Sequence, residues 1–572
     1  MKRGRDHLDP ITFELIHANL LSAAEEMGAL LKRSSFSPII REMDDFSCAL
    51  FEAGGDLVAQ ADYIPAQLGA MSLVVKATLE RWRGSIRPGD VFIANHPYLG
   101  CMHTPDINIL VPVFVEQRLF AWTGSTAHHI DVGGVNPGTE GADLRQLYAE
   151  GLVLPPVHLA RAGVEDLDLV AIITSNVRDP SSTVADLRAQ RAACELGRRR
   201  ILEAVERYGA GRVGATFRRA LDHVERATRA ALADLPDGEG EAEGFLDDDG
   251  VGGPPTRIHV RLRKEGDRLE VDLSGSAPQV PGALNVPWAS TRAAVVFLVR
   301  AMTDPALPTN DGVLRPVRIV CPKGNVLNPE PPAAVSVRHN TCQRLADTLV
   351  RAAGNLWPDR AVASGCVAFF DVNLESVSPR TGRTSVMMDV VGGGTGGHRR
   401  GDGLDGVDTY LSNVALLPTE VAEAEYAVRI VRTELVPGSQ GRGEHHGGLG
   451  LRREYLILDR PQVATVYAEQ TDPRFPPAGV RGGMAGAPTR LEILDPEGRR
   501  LAVPTKVTLT LQPGSVIRVE TSGGGGYGDP RRRDPAAARA DREDGRVPAG
   551  GRRRRADGGP GEGRRSRRRV TG

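Results

Sequence analysis

Residues 103–134 read HTPDINILVPVFVEQRLFAWTGSTAHHIDVGG and contain two strand-like runs. Segments 106–115 and 118–123 are rich in β-branched and aromatic residues, which favours β-strands. Glu116 and Gln117 lie between the two runs and form the expected turn, although this pair is poor chemistry for a primed turn. The stretch therefore predicts an antiparallel hairpin.

The register of this hairpin decides which side chains meet at its open end. With a two-residue turn, Pro105 faces His128. Pro105 also keeps the preceding residue out of the helical region, so that His103 and Asp106 lie on a bend leading into the strand. His103, Asp106 and His128 therefore converge. Imidazole and carboxylate groups are ligands of divalent transition metals, and this trio predicts a metal or catalytic site. The alternative is a set of loop residues that only form hydrogen bonds.

The same motifs resemble those of the hydantoinase B/oxoprolinase family. The chain has His-x-Pro-Asp at 103–106 and His-His-x-Asp-x-Gly-Gly at 128–134, and the similarity runs from Asp9 to about Val547. Further motifs of the family's order are Asp45-Phe46-Ser47, Asn95-His96-Pro97-Tyr98, Glu150-Gly151-Leu152, Asp186-Leu187-Arg188-Ala189-Gln190, Asp272-Leu273-Ser274-Gly275, Arg338-His339 and Gly523-Gly524-Gly525-Gly526-Tyr527-Gly528-Asp529-Pro530. The family includes B subunits of ATP-dependent hydantoinases, the matching half of 5-oxoprolinase, and large subunits of acetone and acetophenone carboxylases.

The resemblance implies a division of labour between two chains. The sequence has no Walker loop, and the family places ATP on a hydantoinase A-type partner subunit that phosphorylates the carbonyl of a cyclic amide. This chain would then hydrolyse the activated ring, using a divalent metal (Mn, Zn or Fe) on residues matching His103, Asp106 and His128. We therefore expect a hetero-oligomer acting on a lactam or imide. A subunit of an ATP-dependent ketone carboxylase and a non-catalytic scaffold are the competing hypotheses.

Five further residues complete the predicted site. His129 and Asp131 are candidates for orienting a ligand or transferring protons, since a ligand histidine usually donates its other N–H to a carboxylate or carbonyl. Glu150 is a candidate general base, with a surface or structural glutamate as the alternative. Arg338 and His339 stand beside a predicted helix start and are candidates for holding a phosphoryl group, although an ion-paired structural arginine fits the same pattern.

Three positions depart from the pattern of the family that the sequence resembles. Where relatives usually read Pro-Val-His-Leu-Gly, this chain has Gln67 in place of the histidine. His96 replaces an aspartate, and 444–446 bring acidic and imidazole groups to a turn where arginines are expected. These changes leave the substrate open, and they do not touch the predicted ligands.

Composition excludes several classes of function. The 572 residues carry 71 Lys and Arg against 72 Asp and Glu, so no general affinity for nucleic acid is expected. No apolar run approaches the ~20 residues of a membrane span and the first residues lack an apolar signal region, which predicts a cytoplasmic protein. The six cysteines have no C-x-x-C spacing, so neither a zinc ribbon nor a disulfide framework is expected.

The pattern of elements predicts an α+β fold with mixed sheets, packed helices and a β-rich C-terminal region. The predicted divisions are 1–235 with the metal site, 236–410, 411–535, and a disordered Arg/Gly-rich tail at 536–572. The nine arginines within 550–572 cannot build a core, and an altered reading frame or electrostatic binding of nucleic acid would both fit them.

Two local features are also predicted. Asp9 as N-cap opens a helix, and its apolar face is expected to carry Ile11, Leu15, Leu20, Met27 and Leu31. The glycine clusters at 392–397 and 523–526 are interpreted as tight turns rather than anion-binding loops.

Overall fold

The structure, a computed structural model, describes residues 8–61, 63–67, 69–368 and 370–548. Within these residues the chain forms ten α-helices and nineteen strands. The helices are α1 (Pro10–Ser34), α2 (Pro38–Arg41), α3 (Met71–Arg81), α4 (Leu167–Asn176), α5 (Pro180–Tyr208), α6 (Ala210–Ala233), α7 (Trp288–Met302), α8 (Arg338–Leu356), α9 (Thr419–Glu425) and α10 (Pro535–Glu543). The strands are β1 (Phe46–Glu52), β2 (Leu57–Ala61), β3 (Val91–Ala94), β4 (Asp106–Val115), β5 (Arg118–His128), β6 (Val157–Arg161), β7 (Val164–Glu165), β8 (Gly238–Leu246), β9 (Thr256–Glu265), β10 (Arg268–Asp272), β11 (Val317–Val320), β12 (Phe370–Val377), β13 (Thr384–Val391), β14 (Val428–Val436), β15 (Gly450–Ile457), β16 (Gln462–Tyr467), β17 (Arg490–Leu494), β18 (Lys506–Leu511) and β19 (Val516–Glu520).

The first seven strands form one antiparallel sheet in the order β2-β1-β5-β4-β3-β6-β7. The predicted hairpin is its β4–β5 pair. Glu116 and Gln117 form the turn with φ angles of 49° and 64°, the conformation of a primed turn despite their unfavourable chemistry. A register shift next to Val113 moves the pairing by one residue, so that Asp106 and not Pro105 faces His128. The predicted partner was wrong because a bulge adds one residue to a strand.

Helix α1 packs on this sheet and on α5. It begins as predicted, with Asp9 accepting a hydrogen bond from the amide of Thr12 at 3.0 Å. The predicted apolar face was wrong in its first turns, because Ile11 is 73% and Leu15 51% exposed. Helical spacing of three and four residues instead joins the buried side chains Phe13, Ile16, Leu20, Ala24, Met27 and Leu31.

The other three sheets have four strands each, in the orders β11-β10-β9-β8, β13-β12-β16-β18 and β14-β15-β19-β17. Helix α8 packs against β8 and β9 of the first of these. Helices that pack on several sheets confirm the α+β class. Among the described strands, only the β10–β11 pair is parallel, so only one of the four sheets is mixed. Strand β12 pairs with β16, so one sheet crosses the predicted boundary at residue 410.

The glycine clusters form a distinctive bundle of extended segments. This glycine bundle consists of 392–397, 441–450, 478–486 and 522–528. At its centre, the Gly524 amide donates to the Gly448 carbonyl at 2.9 Å, and the Gly524 carbonyl accepts from the Gly441 amide at 2.7 Å. A Cβ at Gly524 would overlap the carbonyl oxygen of Thr395. None of the glycines in 392–397 or 523–526 has a left-handed φ. The interpretation as tight turns was therefore wrong, since glycine is needed here for close backbone approach.

The segment predicted to be disordered from residue 536 is ordered at its start. Helix α10 begins at Pro535, and the structure continues to residue 548. Arg533 pairs with Asp402 and Asp541, and Arg546 pairs with Asp405 at 2.6 Å. The prediction was wrong for 536–548, because these ion pairs dock a segment that has few apolar residues. Residues 549–572 lie outside the described part of the chain.

Two expectations from composition can be compared with the structure. All six cysteines are free thiols, as expected. Among the described residues, no helix combines the length and the apolar character needed to cross a membrane.

Candidate active site

The three predicted ligands meet where the β4–β5 hairpin opens. His103 precedes β4, Asp106 begins it and His128 ends β5. His103 Nε2 lies 3.2 Å from Asp106 Oδ2, and His128 Nδ1 lies 3.6 Å from Asp106 Oδ1. All three side chains are buried, with one ligand atom of each within 4.8 Å of the others. The predicted convergence is confirmed, whereas metal binding itself stays a prediction.

The protonation states of His103 and Asp106 suit a divalent ion. His103 Nδ1 lies 3.0 Å from the Ser336 carbonyl oxygen, so the tautomer that donates this hydrogen bond leaves Nε2 as the ligand atom. Burial lowers the pKa of His103 to about 4, which keeps the ring neutral. Burial acts to raise the pKa of Asp106, but His103, His128 and Arg338 outweigh it and hold that pKa well below its ordinary value. A neutral imidazole and an ionised carboxylate are what a metal requires.

Asp45 extends the trio and was not predicted as a site residue. Its Oδ2 lies 3.8 Å from His128 Nδ1, and its Oδ1 accepts a hydrogen bond from Gln67 Nε2 at 3.2 Å. Burial raises the pKa of Asp45 to about 6. Burial acts to lower the pKa of His128, yet the carboxylates of Asp106 and Asp45 raise it overall. The sequence motif that begins at Asp45 was the only signal that could have located this residue.

Asp45, His103 and His128 border a cavity of about 40 Å³, while Asp106 lies behind them and does not line it. The cavity has room for about three water molecules. One part of its lining is polar and the other is largely apolar. The polar lining consists of Asp45, Gln67, His103, His128, Glu140, Arg338, His339, Gln343, Asp371 and Ser412, and the remaining lining of Ile64, Ala66, Cys342, Met388, Val390, Leu411 and Val414. A small ring with a polar edge and a hydrocarbon edge matches this division.

A carboxyl pair that the sequence did not reveal lies beside the trio. The Tyr467 hydroxyl makes short contacts with both Glu140 and Asp371. One hydroxyl hydrogen cannot serve two carboxylates, so at least one carboxyl must be protonated. Burial raises the pKa of Glu140 well above its ordinary value and that of Asp371 to about 6. No sequence pattern could bring these residues together, since they come from a loop and from strands of another sheet.

His103, Glu140 and His339 form a second group whose geometry could hold a cation. Glu140 Oε1 lies 3.4 Å from His103 Nδ1 and 3.7 Å from His339 Nδ1. His103 Nδ1 is the nitrogen that faces the Ser336 carbonyl. The group with Asp106 and His128 is therefore the better ligand set.

The two predicted substrate-binding residues line the same cavity. Arg338 begins α8, and its Nη2 donates to Asp106 Oδ2 at 2.8 Å. Burial acts to lower the pKa of Arg338, but the Asp106 carboxylate raises it overall, so the guanidinium stays charged. Burial lowers the pKa of His339 well below its ordinary value. The geometry places the charged Arg338 and the neutral imidazole of His339 at the cavity. Arg338 also forms an ion pair with Asp106, as the alternative of a structural arginine predicted.

His129 and Asp131 do not lie among the residues that line the cavity. Successive residues at a strand end point to opposite sides, and His129 therefore turns towards α5, with Nε2 2.9 Å from Gln190 Oε1. Asp131 pairs with Arg178 at 2.8 Å and accepts the amide of Gly133. These contacts favour structural roles for both residues.

Glu150 also lies outside the cavity lining, and its contacts explain why it is buried. Its Oε1 accepts hydrogen bonds from the amides of Val335 and Ser336 at 2.5 and 2.7 Å. Burial nevertheless raises the pKa of Glu150 to about 8. Because the Ser336 carbonyl meets His103, Glu150 positions the turn that joins α8 to the ligand trio.

The geometry can be compared with known proteins. The family model described as Hydantoinase B/oxoprolinase matches residues 9–530. The chain belongs to the hydantoinase B/oxoprolinase family. A relative in this family, a candidate B subunit of a D-/L-hydantoinase from Pseudomonas sp. strain NS671, is 34% identical over 560 residues, which cover 94% of this chain and 93% of the relative.

A longer relative and two solved structures are also similar to this chain. 5-Oxoprolinase 1 of Arabidopsis thaliana is 31% identical over 92% of this chain, which spans 42% of that longer protein. The crystal structure of an ATP-dependent caprolactamase from Pseudomonas jessenii has a TM-score of 0.89 and 29% identity, covering 94% of both chains. The nucleotide-free structure of acetone carboxylase has a TM-score of 0.86 and 19% identity over 95% of this chain and 78% of that chain. The last likeness concerns the fold alone.

Proposed function

We propose that this chain is the hydrolytic B-type subunit of an ATP-dependent cyclic-amide hydrolase. The observation that carries the proposal is the buried cluster of His103, Asp106 and His128 beside a small cavity with one largely apolar part. Relatives named as a hydantoinase B subunit and as 5-oxoprolinase, and a caprolactamase of the same fold, support a cyclic amide as the substrate class. The ring is a lactam or imide.

The chain's own residues supply the surroundings that the reaction needs. A divalent ion held by the trio would act as a Lewis acid and lower the pKa of water. Arg338 keeps a permanent positive charge at the cavity, where it stabilises negative charge developing on the substrate or on a phosphoryl group. The protonated carboxyl shared by Glu140 and Asp371 holds a proton near His339, within the site that must protonate the leaving nitrogen.

We assign ATP to a hydantoinase A-type partner subunit in a hetero-oligomer. The sequence of this chain has no Walker loop, while the caprolactamase that shares its fold is described as ATP-dependent. The partner would phosphorylate the amide carbonyl, and this chain would open the activated ring. Calorimetric titration of the isolated chain with ATP is expected to give no heat of binding, and micromolar affinity would contradict this division.

A ketone carboxylase subunit is the second candidate, favoured by the likeness of the fold to acetone carboxylase. Hydrolysis requires only that water reach an activated carbonyl carbon, whereas carboxylation also needs a shelter for carboxyphosphate and an enolate. Relatives that are 34% and 31% identical to this chain are named as a hydantoinase subunit and a 5-oxoprolinase, whereas acetone carboxylase is 19% identical. We therefore favour hydrolysis. A non-catalytic scaffold, the third hypothesis, would not need an ordered ligand trio.

Elemental analysis tests the metal site. We expect about one divalent ion (Mn, Zn or Fe) per wild-type chain, and a loss of at least tenfold in the double variant His103→Ala/His128→Ala. His129→Gln is the matched control, because this neighbouring histidine faces α5, and it should keep the metal. Full occupancy in the double variant, or none in wild type, would contradict the proposed site.

Reconstitution with the A-type partner tests the reaction. Asp106→Asn should abolish ring opening while substrate-dependent ATP cleavage by the partner continues, since activation and hydrolysis lie on different chains. The reaction should need no bicarbonate. Ketone-dependent fixation of labelled bicarbonate without lactam opening would replace the hydrolase by the carboxylase.

A further inference from the structure

Gln67 is a buried amide of the cavity that the proposed mechanism has not used. It ends the short 3-10 turn Pro65–Gln67 between β2 and α3, and it is 1% exposed. Its backbone is fixed on both sides: its amide donates to the Ile64 carbonyl at 2.9 Å, and its carbonyl accepts from Ala70 at 3.3 Å. The preceding residue, Ala66, donates to the Leu411 carbonyl at 2.7 Å. The side chain is therefore held at the cavity by a rigid turn.

Asp45 determines which way the Gln67 amide points. Gln67 Nε2 lies 3.2 Å from Asp45 Oδ1, and a carboxylate can only accept at that position, so the NH₂ group must face Asp45. The other end, Oε1, is buried and has no hydrogen-bond partner among the described residues. An unpaired buried acceptor costs about 1–3 kcal/mol. A ligand that donates a hydrogen bond at this point would recover that free energy.

We propose that Gln67 Oε1 accepts a hydrogen bond from the ring N–H of the bound cyclic amide and thereby selects rings with an unsubstituted nitrogen. This inference rests on the proposed function and names the part of the substrate that is read. The nitrogen carries a hydrogen in the intact ring, in the O-phosphorylated ring while that ring is the protonated imidate, and in the adduct formed when water adds to the activated carbonyl carbon. Gln67 is thus a specificity-determining residue.

The surroundings of Gln67 fit this orientation of the ring. Asp45 contacts Gln67 on one side and His128 on the other, so the N–H acceptor and the ligand trio are separated by one side chain. In a cyclic amide, the nitrogen of the N–H is bonded to the carbonyl carbon. A ring whose N–H donates to Oε1 would therefore present its carbonyl carbon on the side of the trio. Ile64 and Leu411 add apolar lining next to Gln67, where the methylene groups of the ring would pack. A ketone has no N–H and would leave Oε1 unpaired.

The test compares two rings in two variants of the reconstituted complex. The rings are the best substrate among hydantoin, 5-oxoproline and caprolactam, and its derivative methylated at the scissile nitrogen. The variants are wild type and Gln67→Met, which keeps the length of the side chain but removes both the amide oxygen and the NH₂ group that faces Asp45. Loss of the contact with Asp45 affects both rings alike, so we expect Gln67→Met to lower kcat/KM for the N–H ring by about 10- to 100-fold more than kcat/KM for the N-methyl ring. The preference for N–H should therefore collapse.

This design separates hydrogen bonding from size and reactivity. Methionine fills nearly the same volume, so a steric preference would persist in the variant, and the intrinsic reactivities of the two rings cancel in the comparison. Gln60→Met is the matched control, because Gln60 is also buried and unpartnered but does not line the cavity. It should leave the preference unchanged. Should Gln67→Met not fold, Gln67→Leu takes its place, with thermal unfolding and metal content checking that the variant is native.

The outcomes also separate this inference from the proposed function. If wild type opens the N–H ring and Gln67→Met keeps the preference for the N–H ring over the N-methyl ring, the role of Gln67 is overturned and the hydrolase stands. Wild type that opens both rings equally well does the same. A complex that opens no ring overturns the hydrolase and the role of Gln67 with it.

Discussion

Replacing Glu150 by glutamine should remove a defined part of the pH dependence of stability. Burial raises the pKa of Glu150 to about 8 from an ordinary value of 4.5. A raised carboxyl pKa means that folding favours the protonated form, so this stabilisation is fully present below pH 4.5 and is lost as the pH rises through 8. Between pH 6 and pH 9, ionisation of Glu150 stabilises the unfolded chain by the equivalent of about three pH units and the folded chain by about one pH unit. The difference of about two units is roughly 3 kcal/mol at about 1.36 kcal/mol per unit.

Thermal unfolding measures this loss. With an unfolding entropy of about 2.1 cal/mol/K per residue, this free energy corresponds to about 2 °C if the chain unfolds as one unit. Wild type should therefore lose about 2 °C more than Glu150→Gln between pH 6 and pH 9. Glutamine keeps an acceptor for the amides of Val335 and Ser336 but has no proton to lose. Glu206→Gln, on the exposed side of α5, should follow wild type. Equal losses in wild type and Glu150→Gln would refute the reasoning.

Three further outcomes are expected. Gly524→Ala should lower the free energy of unfolding by at least about 2 kcal/mol, because its Cβ would overlap backbone atoms. Gly214→Ala, where α6 has room for a Cβ, should raise the free energy of unfolding by up to about 1 kcal/mol. Urea titration compares the two variants, and equal effects would contradict the packing argument. Truncation after residue 549 should leave Tm unchanged, whereas truncation after residue 534 should lower Tm, since only the second removes α10 and its ion pairs. A larger loss of Tm on truncation after residue 549 would contradict this. Asp131→Asn should lower Tm while metal content stays at the wild-type level, and loss of metal would return this residue to the site.

The hairpin shows how far sequence reasoning reaches. Runs rich in β-branched and aromatic residues and a two-residue connection were enough to predict β4, β5 and the convergence of His103, Asp106 and His128. The bulge that shifts their pairing by one residue has no marker in the sequence. The site survived this error, because neighbouring positions at the open end of a hairpin remain within reach of one another.

The rest of the site could not be predicted because it is assembled from distant segments. Asp371 and Tyr467 belong to two strands of a sheet whose pairing joins parts of the chain almost one hundred residues apart. Only that pairing brings a tyrosine hydroxyl to Glu140. Glu150 was a candidate general base with a structural glutamate as the alternative. Its position beneath two backbone amides, which favours the alternative, was not visible in the sequence.

The glycine bundle has a thermal consequence. It is joined by hydrogen bonds between peptide groups and has few side chains to shield from water. Apolar hydration produces the positive heat capacity of unfolding, while exposure of peptide groups opposes it. The stabilising contribution of the hydrocarbon core around the sheets therefore weakens as temperature falls. The glycine bundle contributes little to the heat capacity change of unfolding, so its contribution should change less. Hydrogen exchange near 0 °C should then find the amides of Gly441 and Gly524 among the best protected in the protein.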